Sequence, residues 1–510
     1  MNIQAKNTAK LSIAPASKDS IQPRKVLIPG MKRSLTTPDV YRASFYAITG
    51  SAIFLTAAVS SAVMSQRNAV QEVGFDTTPS VYNAQRIRDS VADLDANVAN
   101  LLLPNLNDNS EAQKAYEERK DKLSKLVVLA SKNITNAKEQ DYISAIILGL
   151  NNYIEKVQTA KLLNSQKNRE ASIKVYREAQ EIIDNPQTGL MALANELDKL
   201  NLTTLNDAYK AGQNSAPRQI LIVFLMGVIL LSTLIATQFA MARWSRRTLN
   251  PGLLGATIVA SFFLLDTFVS LTTAQNELRV AKEDAFDSLH ALRVSRSIAY
   301  SMNADESRYL LDPTQAAKHE ADFNDRLSRL GSLSNASFAS QPAQYQAEFL
   351  QITNNGKVPK TFTGLFATQL GNITFPGELK ATQSMMRDFV GYLEIDRKIR
   401  ELNRNKQTVE AIKLCTGLEE GQSNAAFKKF LKTHSDTMNV NIDAFNQSIQ
   451  KAQKALDIPN PQKAITGGES LVLETHRGFD IFFPKILGIT GAIVALSFFG
   501  INQRAKEYKA

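Results

Sequence analysis

The side chains able to do chemistry are few and scattered. The four histidines, His290, His319, His434 and His476, lie far apart, and the chain holds one cysteine, Cys415. No HExxH, CxxC or paired acidic spacing marks a metal site, and no GxGxxG, GxxxxGK[ST] or GxSxG run offers a phosphate cradle or a nucleophile elbow. The expectation is no catalytic residue, no metal and no cofactor. Cys415 cannot close an intramolecular disulfide and reads as a small apolar residue near a helix end. His434 falls between Leu431 and Met438 on a helical seam, the place of a packed, hydrogen-bonded histidine rather than a pH switch. The remaining candidates are charges. Arg86 and Arg293, with Arg88 and Arg296 beside them, could bind an anionic ligand between helices, so Arg86, Arg293 and Arg296 are the candidate ligand-binding residues; as solvated charges on a helix face they would need no function. Asp266 interrupts an apolar run, where an ionised carboxylate costs at least about 2.5 kcal/mol. It is either a contact to a partner subunit or coupling point, or a group hydrated at the interface or bonded to a nearby Ser or Thr.

The elements that must position these residues begin with four apolar runs. Phe45 to Met64, Ile220 to Ala242, Leu253 to Thr272 and Ile481 to Ile501 each have the length of about 20 residues that crosses a hydrocarbon core of roughly 30 Å. Phe482 and Phe483 beside Lys485, and Trp244 after the second run, are the kind of residues that anchor spans at the interface. In the fourth run, Gly488 with Ala492 and Gly491 with Ala495 form small-xxx-small pairs, a packing face for another helix.

Orientation follows from the basic residues beside the runs. Lys6, Lys10, Lys18, Arg24, Lys25, Lys32, Arg33 and Arg42 precede the first, Arg243, Arg246 and Arg247 follow the second, and Arg504, Lys506 and Lys509 follow the fourth. The positive-inside rule assigns all three segments to the cytoplasm. Subtracting their fourteen basic and three acidic residues from 59 and 49 leaves 45 and 46, so the formal charge of +10 sits almost wholly on that face. There it meets anionic lipid and gives no argument for nucleic acid. The expected organisation is a basic tail over 1–42, spans at 43–64, 218–243, 253–273 and 481–502, outer segments at 65–217 and 274–480, a loop at 244–252 and a tail at 503–510. The polar N-terminal tail is long for a signal peptide, which makes the first span an uncleaved anchor.

The layout of span, outer segment and span occurs twice, and the sequence echoes it. Ala84-Gln-Arg86-Ile87-Arg-Asp-Ser90-Val91-Ala92 matches Ala291-Leu-Arg293-Val294-Ser-Arg-Ser297-Ile298-Ala299 at an offset of 207, the mark of an internal duplication. In the outer segments, Ile87, Val91, Leu94, Val98 and Leu101 step by four and three, as do Leu190, Leu193, Leu197 and Leu200, and Met438, Ile442, Phe445, Ile449, Ala452 and Leu456. Such seams call for partner helices. The fold class is therefore all-α: four transmembrane helices with two tandem extracytoplasmic helical bundles. Gly74 and Thr77-Thr78-Pro79 are expected to break the chain after the first span. Leu253 to Leu311 has no proline, and at 1.5 Å per residue would form a rod of roughly 90 Å. Pro459-Asn-Pro461 and Gly467-Gly468 should separate the last outer helix from the fourth span. Residues 353–377 read as a membrane-distal elaboration.

By this layout the chain resembles the helical-bundle sensing modules of bacterial chemoreceptors and sensor kinases. The duplicated form is more similar to actinobacterial four-span membrane proteins that relay amino-acid availability from a solute-binding lipoprotein to a soluble serine/threonine kinase. No HAMP-like linker, methylation helix or kinase domain follows any span. The resemblance implies a non-enzymatic sensor or signal-transmitting subunit of a prokaryotic plasma membrane, with both termini cytoplasmic. Its expected partners are membrane lipid, a cytoplasmic signalling protein, an extracytoplasmic small molecule or solute-binding protein, and further copies of itself. The alternative is a structural scaffold of a cell-envelope complex.

Overall fold

The computed structural model describes residues 25–26, 35–104, 110–132, 134, 137–245, 249–465 and 480–506. Most of the basic tail, Arg246, Arg247, Gly467, Gly468, His476, Lys509 and the side chain of Trp244 lie outside the described residues. The fold is all-α: helices dominate, and the only strands among the described residues are two short antiparallel pairs, β1 (Lys25–Val26) with β2 (Leu35–Thr36), and β3 (Ser332–Leu333) with β4 (Phe362–Thr363). The helices are α1 (Thr37–Gln71), α2 (Thr78–Leu102), α3 (Ser110–Ser131), α4 (Ala137–Ser165), α5 (Arg169–Asp184), α6 (Leu190–Ser245), α7 (Pro251–Arg279) and α8 (Asp287–Leu311). They continue as α9 (Ala316–Leu330), α10 (Pro342–Asn355), α11 (Leu365–Gly371), α12 (Glu378–Arg404), α13 (Thr408–Thr416), α14 (Ser423–Ala455) and α15 (Phe482–Lys506).

The chain divides into two compact units. One contains Met1–Val63, Pro217–Val269 and Ile481–Ala510, and the other Met64–Ala216 and Ser270–Asp480. The first holds the apolar stretches of α1, α6, α7 and α15, four helices long and apolar enough to cross a membrane. Asn250 organises the start of α7. Its Oδ1 accepts from the backbone of Gly252 at 3.0 Å and Leu253 at 3.3 Å, while its Nδ2 donates to the Gly500 carbonyl at 2.8 Å. The backbones meet closely there: a Cβ on Gly252 would lie 2.6 Å from the Leu496 carbonyl oxygen. The small-residue contact is thus made by Gly252 and Gly500, whereas a Cβ at Gly488 or Gly491 would meet nothing within 4 Å. Thr56 and Thr490 join α1 to α15 through a 2.6 Å hydroxyl contact.

In the second unit the expected break after the first span is absent. Thr37–Leu102 is one continuous helix, in which residues Glu72–Thr77 take the wider π register. Pro79 withdraws a backbone donor, and neighbouring hydroxyls add bonds within the same turns: Thr77 donates to the Glu72 carbonyl at 2.8 Å and Ser80 to that of Asp76 at 3.3 Å. Gly74 serves packing instead of termination, because a Cβ there would stand 3.3 Å from Ile449 of α14. The second long helix, Pro251–Leu311, is unbroken as its composition foretells, and it too has a π turn, at Val280–Phe286.

Downstream of these π turns, α2 and α8 are 25 residues each and lie side by side. Tyr82 and Asp89 contact Arg293, Asp95 contacts Arg308, and Asn100 contacts Ser307. Partners advance together along both helices, so the pair is parallel and in register. Every residue of α2 is buried except Arg86 and Asn97. The sequence suggests two tandem bundles; here the two outer segments share one interior, because a helix apolar or enclosed on all sides must be covered on all sides. Against α2 pack α3 and the α4–α5 hairpin, with the first part of α6 joined through Asn195; against α8 pack α9, α11, α13 and α14, and α12 and α10 lie behind α14 and α12 in turn. The second segment adds an aromatic core in which Phe366 and Phe389 meet edge-on at 5.0 Å, with Phe349 and Phe430 against them. Asn372, within residues 353–377, donates to Ser288 at 2.7 Å, which holds that segment beside the first turn of α8.

The register is directly testable. In a Cys415→Ser background, Asn100→Cys with Ser307→Cys should form a disulfide on mild oxidation, since the two side chains touch at 2.8 Å. Asn100→Cys with Leu289→Cys, displaced by 18 residues or roughly 27 Å along a parallel helix, should not.

Candidate functional site

The α2–α8 pair carries charge where a seam should be apolar, and the structure gathers these charges into a chain of buried clusters. At the beginning of the pair, Arg293 donates to Asp89 at 3.1 Å and to the Tyr82 hydroxyl, with its guanidinium 4.4 Å from the Tyr82 ring centroid. Arg86 stands over the same ring at 5.9 Å, so the two arginines related by the sequence echo share one tyrosine. Arg88, not Arg86, is the buried member of its pair. It donates to Asn195 of α6 at 2.9 Å and lies 3.6 Å from Asp198, which also receives His290 at 3.2 Å. Polar capacity is left over here: Nε and Nη2 of Arg88, Oδ1 of Asp89 and of Asp198, Nε of Arg293 and both amide atoms of buried Gln85 have no hydrogen-bond partner.

A second cluster is built around Arg296, which donates to Ser435 at 2.8 Å and lies 3.4 Å from both the Leu431 carbonyl and the Tyr300 hydroxyl. His434 next to it is fully buried, edge-on to Phe430, with Nε2 3.0 Å from Ser295 Oγ. Because Ser295 donates its proton to the Leu292 carbonyl at 2.8 Å, its oxygen accepts from the imidazole, the reverse of a nucleophile and its base. Burial first, and then Arg296 and Arg293, holds the His434 pKa well below its ordinary value. The packed histidine expected from the seam is what the fold contains.

Farther along, Arg308 is the hub. It donates to Asp95, to Asp305 at 3.0 Å and to Asp184 at 3.2 Å, while Arg326 pairs with Asp305 as well. Asp95 also accepts from the hydroxyls of Tyr153 at 3.0 Å and Tyr176 at 3.2 Å. One aspartate of α2 thereby ties α4, α5 and α8 together. Burial pushes the Asp95 and Asp305 carboxyls up despite these arginines, and raises Tyr153 well above its usual range. On the other side of α8, Glu306 accepts from Ser423 at 2.6 Å and from the Cys415 thiol at 3.5 Å. Burial, aided by nearby Asp396, pushes the Glu306 carboxyl well above its ordinary range. Asp396 is itself gripped by Arg400 at 2.8 and 2.9 Å. Cys415 is buried, as expected of a small apolar residue, but it is also a hydrogen-bond donor within this cluster.

Of the sequence candidates, Arg293 and Arg296 thus enter the interior and Arg86 lies at its edge. The residues that sequence reasoning missed are Asp95, Asp305, Glu306, Arg308, Asp396 and Arg400. Their signal was present as acids and arginines interleaved with the apolar positions of α2, α8 and α12. Asp266 belongs to the apolar unit, where its partner is Lys485 at the head of α15, 3.3 Å away, with 58% and 40% of the two side chains exposed.

Arg308 governs three aspartates, and removing it leaves buried charge unmatched. Arg308→Met should lower the stability of the full chain by about 3–5 kcal/mol, and adding Asp95→Asn should restore part of the loss, as read from melting temperatures and a double-mutant cycle. His434 supplies a second check. Its folded pKa is depressed, so its contribution is complete above the unfolded value of 6.5 and is lost as the pH falls below it. Between about pH 7 and pH 5, His434→Gln should flatten the fall in melting temperature.

No curated protein and no solved structure matches the chain. One family model does, over the segment that contributes α2 to α5 and the first part of α6 to this polar interior: residues 69–210 match the family described as an actinobacterial sensor domain, which supports a sensing role for this multi-pass membrane protein.

Proposed function

We propose that this chain is a non-enzymatic sensor or signal-transmitting subunit of an actinobacterial plasma membrane. In this reading residues 1–42, 244–252 and 503–510 face the cytoplasm, and the segments 65–217 and 274–480 form one extracytoplasmic unit that arose by duplication. The unit binds a small molecule or a solute-binding protein, and a separate cytoplasmic effector receives the output through the basic tail, the short loop or lateral contacts of the spans. Further copies of the chain and anionic lipid complete the expected partners.

The observation that carries the reading is the continuity of the two long helices. Thr37–Leu102 and Pro251–Leu311 each join an apolar stretch to a buried charge cluster without a break. A shift of α2 against α8 therefore has a direct covalent route into a span. The matched π turns at Glu72–Thr77 and Val280–Phe286 support this. A π turn differs from an α turn by one residue of register, so it is a natural place for a helix to store two alternative alignments. The sensor-domain match supports the same role. The leftover polar capacity around Arg88, Asp89, Asp198, Arg293 and Gln85 favours a ligand bearing both acidic and basic groups, or a local rearrangement that such a ligand triggers from the rim at Arg86.

The scaffold alternative uses the same helices only as spacers. The two readings separate in a thermal-shift screen of the full chain in lipid nanodiscs against amino acids and purified solute-binding proteins. A sensor should gain stability with one of them, and Arg86→Gln, at the rim, should reduce the gain while leaving the unliganded melt within a few degrees. No gain across the whole screen would favour the scaffold.

A further inference from the structure

The turn at Asp312-Pro313 folds α9 back along α8, and it brings together three groups that are far from any metal-binding spacing in the sequence. His319 and Asp322 are three residues apart on α9 and so share one face. Asp305 lies across from them on α8. One donor atom of each, an imidazole nitrogen and two carboxylate oxygens, lies within 4.8 Å of the others. Donors about 2.1 Å from a common ion can be no more than about 4.2 Å apart, so a closure of a few tenths of an ångström completes the set.

A second observation points to a ligand here. His319 is 3% exposed, and neither of its ring nitrogens has a hydrogen-bond partner. Buried imidazoles are rarely left so, and a ring with both nitrogens open beside two carboxylates lacks an acceptor of its lone pair. Asp322 adds a carboxylate beside Asp305 and His319 for which no arginine partner is seen among the described residues, unlike Asp95, Asp184 and Asp305, which Arg308 and Arg326 hold. Arg308 and Arg326 hold Asp305 through its oxygens, but each carboxylate oxygen has a second lone pair, and such outer partners orient a ligating group.

We propose that Asp305, His319 and Asp322 bind a divalent transition-metal cation of the zinc or manganese class, which one imidazole and two carboxylates suit. The ion would bridge α8 to α9 next to the Arg308 hub, with water filling its remaining positions.

The test uses the full chain, stripped with a chelator and titrated with Co2+ as a spectroscopic probe and with Zn2+ by equilibrium dialysis. About one saturable equivalent is expected, with Zn2+ displacing the visible Co2+ bands. His319→Gln and Asp322→Asn should each weaken uptake by more than about 10-fold, the least that even outer partners of a ligand contribute. Asp325→Asn, on the exposed side of the same helix, should leave it unchanged. Asp322 is only partly buried, so its variant decides the matter if His319→Gln fails to fold. No saturable uptake by the parent chain, or uptake unaltered in a folded Asp322→Asn protein, overturns the proposal.

Discussion

The interior of the polar unit depends on one constraint: a buried charge must meet its opposite. Asp95 and Asp305 lie where α2 and α8 face their neighbours, and an ion removed from water is tolerable only when hydrogen-bonded and paired. Arg308 satisfies three carboxylates from the last turn of α8, and Tyr153 and Tyr176 complete the shell of Asp95. These bonds have fixed directions, unlike the contacts of a leucine seam. They specify which residue of α2 stands beside which residue of α8 more sharply than apolar packing can, because a slip of one residue would orphan several charges together.

That precision matters for helices that continue as spans. A purely apolar seam tolerates small rotations at little cost, so movement at one end dissipates along the pair. A ladder of ion pairs has discrete satisfactory arrangements. Any change that re-pairs one rung favours another alignment as a whole, and the π turns next to α2 and α8 are places where a one-residue change of register can be absorbed. In the proposed sensor the charge ladder would hold alignment and the π turns would permit alternatives.

The sequence makes some of this legible and hides the rest for physical reasons. The four long apolar helices, the unbroken run to Leu311 and the seams at Ile87 to Leu101 and Met438 to Leu456 follow from composition and period, and the structure contains them. The π turn at Glu72–Thr77 does not follow, because Gly74 and Pro79 signal termination unless nearby hydroxyls and a packed Ile449 are known. Periodicity marks one face of a helix, so it cannot reveal that α2 is enclosed on every side and that Arg88 turns inward while Arg86 stays at the rim. Nor could it pair Asp266 with Lys485, 219 residues away. The small-residue stripe on α15 shows the converse error, since close approach is set by the partner backbone at Gly252 and not by composition along one helix.

Placing α2 and α8 on one polypeptide has a genetic corollary. In a complex of two identical subunits every substitution occurs twice, and a residue near the symmetry axis confronts its own copy; an arginine introduced there meets another arginine. Here the two sides are encoded separately. Asp95 can face Arg308, and Tyr82 can be held by Arg293, without the reciprocal contact being imposed. Each side is also free to change alone, as the α4–α5 hairpin beside α2 and the aromatic core of the second segment show.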